Sequence, residues 1–238
     1  MLDIQNLSVS IQEKNIISDL SMQFALGKNY CVLGKNGSGK SSLAMTIMGH
    51  PDYEVMQGAI LLDGASVLDM DPHERAKAGI FLAFQSIPEI KGVKLFEFLR
   101  TIYNSCHDAK ESFVSFKKII VPMMEELGID KEFLWRDLNV GFSGGERRKI
   151  EVLQLKLLQP TYIFLDEVDS GLDVDAFRAV AQMMQTMNTS ENSFIIITHY
   201  FTILDYVPVD TVYVMQEGTL IKTGGTELVL DIKENGFS

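Results

Sequence analysis

The sequence predicts an α/β fold whose core opens with antiparallel β strands and carries an inserted α-helical subdomain. Three observations predict it. Apolar runs of strand length recur along the 238 residues, bounded by glycines and turn residues. A glycine-rich loop stands between one such run, Tyr30-Cys31-Val32-Leu33, and a stretch with Leu43, Ile47 and Met48 at helical spacing. From about Val93 to Val140 the strand signals give way to helical periodicity. The chain reads as one domain, with residues 1–85 and 151–238 as the α/β core and 86–150 as the helical subdomain.

Each element follows from local pattern. Leu2, Ile4, Leu7, Val9 and Ile11 read as a first strand and Ile16 to Phe24 as a second, with a turn at Glu13-Lys14-Asn15. Gly27-Lys28 turns the chain into the strand before the glycine loop. Gly58 to Gly64 reads as a short strand closed by a turn. A helix is expected near Asp71-Pro72, because proline is favourable at a first helical position. Ile80 to Phe84 is a buried strand ended by Gln85. In the helical stretch, Phe96, Leu99 and Tyr103 share one face. Phe113, Phe116, Ile120, Met123, Met124 and Leu127 share another, with Pro122 expected to kink that helix or mark a new start. Strand signals return at Thr161–Leu165, Ser193–Thr198 and Thr211–Met215, with a helix from Phe177 to Met187 between the first two.

Composition narrows the function classes. Hydrophobic residues make up 46% and charged residues 22%, which is enough apolar material for a packed core. A net charge of −11 argues against binding a nucleic-acid backbone, which takes a surplus of lysine and arginine. It does not argue against ATP, because a local nest of N–H groups captures phosphate on an acidic protein. Met1-Leu2-Asp3-Ile4 shows no signal peptide, and no run of 18 apolar residues occurs, so a cytoplasmic protein is expected. The two cysteines, Cys31 and Cys106, and four scattered histidines build neither a disulfide framework nor a zinc site.

Gly34-Lys35-Asn36-Gly37-Ser38-Gly39-Lys40-Ser41 fits the phosphate-cradling P-loop, G-x-x-x-x-G-K-[ST]. With Ser42 it forms the candidate ATP-binding segment. Its glycines let successive N–H groups face phosphate oxygens, and the helix start adds free N–H groups and partial positive charge. Lys40 is placed at the β- and γ-phosphates and Ser41 on Mg²⁺. Tyr162-Ile163-Phe164-Leu165-Asp166-Glu167 is an apolar strand releasing two carboxylates at its C-terminal end, the edge where open α/β sheets bind ligands. Asp166 is then the metal-shell candidate, and Glu167 the residue that orients or deprotonates water. Alone, such a run is a solvated strand end. Phe142-Ser143-Gly144-Gly145-Glu146 fits a capping box from Ser143 to Glu146, so a helix should begin there with a second anion-binding terminus; alone it is an ordinary capped helix.

The order of these motifs, P-loop, Gln85, Phe142–Glu146, Leu165-Asp166-Glu167 and then His199, resembles the ATP-binding cassette (ABC) family of P-loop ATPases, over essentially the whole chain. The resemblance implies a head-to-tail pair of cassettes, in which Ser143, Gly144, Gly145 and Glu146 of one copy meet the nucleotide of the other. It implies that Gln85 senses Mg²⁺ and the attacking water, that His199 contacts the γ-phosphate, and that Asp173, in Ser170-Gly171-Leu172-Asp173, belongs to the loop crossing the dimer interface. Two departures stand out. No aromatic residue occurs among Val9–Ile16, where the family often stacks adenine, and the signature has Phe142 and Glu146 where transporters usually carry Leu and Gln.

One branch is closer than the rest. Val168-Asp169 follow the catalytic acid, where transport cassettes usually have Pro-Thr. This feature, with Asp52-Tyr53-Glu54-Val55, Ala83-Phe84-Gln85 before Pro88-Glu89-Ile90, Asn139–Glu146 and Thr198–Tyr206, is similar to the SufC ATPases of iron–sulfur cluster assembly. That resemblance implies SufB-like and SufD-like scaffold partners, a transient ATP-dependent homodimer, no nucleic acid and no membrane insertion. A cluster site needs more cysteines than this chain has, so the ligands would lie on a partner. The alternatives are the nucleotide-binding subunit of an ABC membrane transporter, or a module that binds nucleotide without hydrolysing it.

Overall fold

A computed structural model describes residues 1–168, 174–198 and 201–237, and contacts divide it into two compact units. The first comprises residues 1–84, 161–168 and 188–238; the second comprises 85–160 and 169–187. The division differs from a helical segment closing at residue 150. A boundary there would cut through one capped helix that runs unbroken from Gly144 to Leu158.

In chain order the first unit begins with β1 (Leu2–Ile11), β2 (Lys14–Phe24) and β3 (Tyr30–Leu33). It continues with α1 (Lys40–Met48), β4 (Glu54–Leu62), β5 (Ala65–Ser66), α2 (Pro72–Lys77) and β6 (Ile80–Ala83). The second unit then supplies β7 (Ile90–Lys94), α3 (Leu95–Cys106), α4 (Phe113–Glu126), a 3-10 turn (Lys131–Trp135), β8 (Asp137–Leu138) and α5 (Gly144–Leu158). The first unit resumes with β9 (Tyr162–Asp166), the second adds α6 (Val174–Met187), and the first closes with β10 (Ser193–Ile197), β11 (Thr211–Gln216), β12 (Thr219–Gly224) and α7 (Thr226–Asn235).

The first unit is built on two sheets. One is antiparallel, in the order β2-β1-β4-β5. The other runs β12-β11-β3-β10-β9-β6 and is parallel except for the β11–β12 hairpin. Alternation explains the first sheet, where Leu2, Ile4, Leu7 and Val9 all point into the core. Near-continuous burial marks the second, as covered parallel strands require: every residue of β3, β9 and β10 is buried. Aromatic packing joins the two sheets. Phe24 on β2 meets the rings of Tyr30, Phe164 and Tyr213 edge-on at 5.0, 5.8 and 5.8 Å. The Tyr213 hydroxyl donates to the Gln23 carbonyl at 2.8 Å, so its polar end is satisfied where its ring is buried.

The second unit has its own core. Leu95, Phe96 and Leu99 of α3 pack with Phe116, Ile120 and Met124 of α4 and Ile150, Leu153 and Leu157 of α5. Of the faces expected for the helical stretch, Phe96, Leu99, Phe116, Ile120 and Met124 are buried, Tyr103, Met123 and Leu127 are half-buried, and Phe113 is exposed. Pro122 neither ends nor restarts α4, which continues from Phe113 to Glu126. Pro122 is exposed while Phe116, Ile120 and Met124 are buried, so packing of the opposite face outweighs the missing N–H. The antiparallel pair β7–β8 within this unit was not expected from periodicity, and neither were β12 and α7 in the first. The first turn falls earlier than Glu13-Lys14-Asn15: Gln12 and Glu13 are the left-handed residues, and β2 already starts at Lys14. β4 likewise starts at Glu54, ahead of Gly58.

Arg75 on α2 locks α1 in place. Its Nη1 donates to the carbonyls of Thr46 and Ile47, each at 2.9 Å, at the C-terminal end of α1 where helix carbonyls lack intrahelical partners. Nε and Nη2 donate to the carbonyls of Met70 and Leu68 at 3.0 and 3.2 Å. Arg75 is only 4% exposed, and burial pulls its guanidinium pKa down. Arg75→Met should lower unfolding free energy by about 2–4 kcal/mol in urea titration, because buried carbonyls lose their donor. Arg75→Lys should recover only part of it, since an ammonium does not reproduce the planar fork.

Candidate functional site

Parallel pairing gathers the predicted residues of the first unit at one sheet edge. Ile197 at the end of β10 is in register with Val32 on one side and Asp166 on the other. The P-loop after β3 and the acidic pair at the end of β9 therefore leave the sheet together, at the C-terminal ends of its parallel strands.

Close backbone approach shapes the loop. A Cβ on Gly34 would lie 2.3 Å from the Met215 carbonyl oxygen and 2.5 Å from Ser38 Oγ, so only glycine fits. Ser38 N–H donates to the Lys35 carbonyl at 3.1 Å, closing the turn, and α1 begins at Lys40 directly after Gly39. Lys40 folds back into the loop: Nζ donates to the carbonyls of Gly34 and Lys35 at 2.9 and 3.1 Å. Lys35, Asn36 and Gly37 form the exposed tip, and Ser42 is half-buried one residue after Ser41.

Charge is concentrated behind the loop. Lys40 is 4% exposed, Asp166 1% and Glu167 8%. Burial lowers the Lys40 pKa, and the negative charges of Glu167 and Asp166 oppose that shift. Ser41 Oγ donates to Asp166 Oδ1 at 2.9 Å. A hydroxyl and a carboxylate oxygen side by side are hard donors suited to Mg²⁺, an ion that commonly binds through one or two protein oxygens plus substrate phosphates. No cluster of three or more His, Cys, Asp or Glu able to hold a metal occurs among the described residues. Glu167 adopts a left-handed backbone, φ 48°, with its N–H donating to the Ile197 carbonyl at 2.8 Å. That turn takes its side chain out of the strand alternation, a placement that costs free energy and is typical of functional positions.

The signature residues lie in the second unit. Ser143 caps α5, Glu146 N–H donates to Ser143 Oγ at 3.3 Å, and Ser143 N–H donates to Glu146 Oε2 at 2.7 Å. The box expected from sequence is thus formed, and the bond from the Ser143 N–H lowers the Glu146 pKa. Gly144 has no positive φ, and a Cβ there would meet nothing within 4 Å. Nothing in this chain's own packing requires glycine at that position. Gln85 opens the second unit. His199 and Asp173 lie outside the described residues, as do Ser170, Gly171 and Leu172.

Gly218 is a site-supporting residue that motif reading missed. Its N–H donates to the Ser38 carbonyl and its own carbonyl accepts from Ser18 N–H, both at 3.0 Å. With φ 78° and a Cβ position 2.2 Å from the Ile16 carbonyl oxygen, it admits no side chain. The turn signal Glu217-Gly218 between apolar runs was present in the sequence, but its contact with a loop 180 positions earlier was not.

Residues 17–170 match the family described as ABC transporter. The chain belongs to that family. It is an ATP-binding cassette ATPase, with the α/β P-loop fold of such cassettes. It is 42% identical over 241 residues to the probable ATP-dependent transporter ycf16 of Antithamnion sp., covering 100% of this chain and 96% of that protein. It is 42% identical over 239 residues to vegetative protein 296 of Bacillus subtilis, covering 99% and 91%. Among solved structures, an ATP-binding subunit of an ABC transporter superposes with a TM-score of 0.81 at 20% identity, covering 100% of this chain and 95% of that one. A dimeric cassette in a post-hydrolysis state bound to ADP and Pi superposes with a TM-score of 0.80 at 16% identity, covering 94% and 98%. No helix among the described residues is long and apolar enough to cross a membrane.

Lys40→Ala should raise the Kd for ATP by about tenfold or more, measured by equilibrium titration, because it deletes a buried charged donor inside the phosphate loop. Unchanged binding would contradict the P-loop assignment.

Proposed function

We propose that this cassette is the ATP-hydrolysing subunit of a SufC-type assembly, in which closure of two copies moves a scaffold of SufB-like and SufD-like proteins during iron–sulfur cluster assembly. The observation that carries the reading is the sequence around the acidic pair, Leu165-Asp166-Glu167-Val168-Asp169, with Val168-Asp169 where transport cassettes usually have Pro-Thr. Val168 is buried, so its identity belongs to the packing beside Glu167 and not to an interchangeable surface. The cysteine count supports the same reading, because two cysteines leave the cluster ligands to a partner.

The chemistry is in-line attack of water on the γ-phosphate, driven by positioning and charge stabilisation. Lys40 and the N–H groups of Gly34–Ser42 hold the phosphates. Ser41, Asp166 and Gln85 are the residues that would hold Mg²⁺, an ion that neutralises charge on the β- and γ-oxygens when bound. Glu167 orients and deprotonates the water, and His199 contacts the γ-phosphate. Ser143, Gly144, Gly145 and Glu146 serve the nucleotide of the second copy, and Asp173 the interface between copies. The open space around Gly144 supports this trans arrangement, since a glycine with no internal reason suits close approach by an outside group.

The second reading is the nucleotide-binding subunit of a membrane transporter, favoured by relatives named as probable ATP-dependent transporters. Purifying the chain from its native extract and identifying stoichiometric partners by mass spectrometry separates the two. Soluble SufB-like and SufD-like proteins are expected, and an integral membrane subunit would overturn the assembly reading. Glu167→Gln should retain ATP binding, lose about 10²–10⁴-fold in turnover, and accumulate a two-copy species in light scattering with ATP. Turnover at the wild-type rate would remove Glu167 from the mechanism.

A further inference from the structure

The chain enters the signature helix through an irregular stretch, residues 139–143, between β8 and α5. Two tight turns shape it: Val140 N–H donates to the Asp137 carbonyl at 3.1 Å, and Phe142 N–H to the Asn139 carbonyl at 3.4 Å. Asn139 and Gly141 are both left-handed, with φ 61° and 66°. A stretch of this kind has other shapes open to it, and holding one of them costs conformational entropy. The capping box fixes the helix from Ser143 onward, and Arg147 Nε donates to the Phe142 carbonyl at 3.0 Å. The two carbonyls before Phe142 are taken by a different residue.

That residue is Arg136. Its Nη2 donates to the carbonyls of Val140 and Gly141 at 3.3 and 3.1 Å. Its Cζ lies 4.8 Å from the centre of the Phe133 ring and 4.6 Å from that of Phe142. The two rings meet each other at 4.6 Å, with their planes inclined by 67°. Phe142 is buried in the core of the second unit, whereas Arg136 itself is exposed and keeps its hydration. One planar guanidinium thus stacks on both rings and binds the turn between them, entirely within the second unit. A leucine at position 142 would offer no π face, so the arginine gives a physical role to the phenylalanine that opens this signature. The Glu146 carboxyl, held low first by the Ser143 N–H, also feels the Arg136 charge, which places the guanidinium close to the first turn of α5.

We propose that Arg136 is a positioning residue for the signature, fixing through Phe133, Phe142 and the Val140 and Gly141 carbonyls the turn that presents Ser143, Gly144 and Gly145 to the nucleotide of the second copy. The inference rests on the trans role proposed for those residues. A Cβ on Gly144 would meet nothing in its own chain, so its place is set by how the backbone enters the helix. The P-loop belongs to the first unit, so Arg136 acts on hydrolysis by the pair and not on ATP binding by one chain.

The test measures the first turnover of radiolabelled ATP by the full chain, beside the ATP affinity of the dilute, unpaired chain. Arg136→Gln should slow that turnover by about tenfold while single-chain affinity stays within about twofold. Arg136→Lys should recover only part of the rate, because an ammonium keeps the charge and loses the planar fork. Full recovery would reduce the residue to a charge and overturn its positioning role. So would an unchanged rate in Arg136→Gln, or a loss of single-chain affinity as large as the loss of rate. An excess of the Glu167→Gln chain supplies an intact signature in trans. It should bring the first turnover of Arg136→Gln to the level that wild type shows in the same mixture. Gly144→Asp in that mixture tests the reading beneath. Failure to rescue Gly144→Asp overturns the trans role of the signature. Rescue of Gly144→Asp without rescue of Arg136→Gln overturns the role of Arg136 alone.

Discussion

A buried ammonium beside two buried carboxylates is the constraint around which the first unit is arranged. Lys40, Asp166 and Glu167 come from segments 126 and 127 positions apart, and none of them could be buried alone without a large desolvation penalty. Their meeting requires β3 and β9 to run parallel on either side of β10 in a fixed register. It also requires the loop before α1 to curl around the lysine, which leaves no room for a side chain at Gly34. On a chain of net charge −11, phosphate binding cannot come from the overall field; it depends on this local set of oriented N–H groups and one lysine.

The same economy appears at the ends of the helices. α1 carries the P-loop at its start, and its far end is held by Arg75, so the element that positions Lys40 and Ser41 is anchored at both termini. α5 is capped by Ser143 at the exposed end and anchored one turn later by Arg147 and Arg148. In each case an arginine from a neighbouring turn or helix satisfies carbonyls that regular secondary structure leaves open. Rigid support of a terminus is what an anion site needs, because N–H groups that drift lose both direction and charge density.

Much of this was legible in the sequence. Alternation and apolar runs located most strands, the helical faces of α3 and α4 were read from their spacing, and the P-loop, acidic pair and capping box identified themselves by residue type and order. These are local signals, set by periods of 2 and 3.6 residues and by side chains that act on backbone within four positions. The misses share a cause as well. Short edge strands such as β8 have too few residues to show a period, and Pro122, which by propensity could have started a new helix, lies within one held by burial of its opposite face.

By itself, therefore, the sequence determined which residue types were available and in what order: a glycine loop with its lysine, a strand ending in acids, a capped helix after Ser143. Only the tertiary structure decided which of them meet. The Ser41–Asp166 hydrogen bond, the Gly218 buttress under Ser38, the Arg75 cap on α1 and the Arg148–Gln85 hydrogen bond all join residues from 28 to 180 positions apart. Hydrogen bonds over such separations leave no periodic trace, because they arise from the register of strands and the packing of helices and not from the neighbours of either residue.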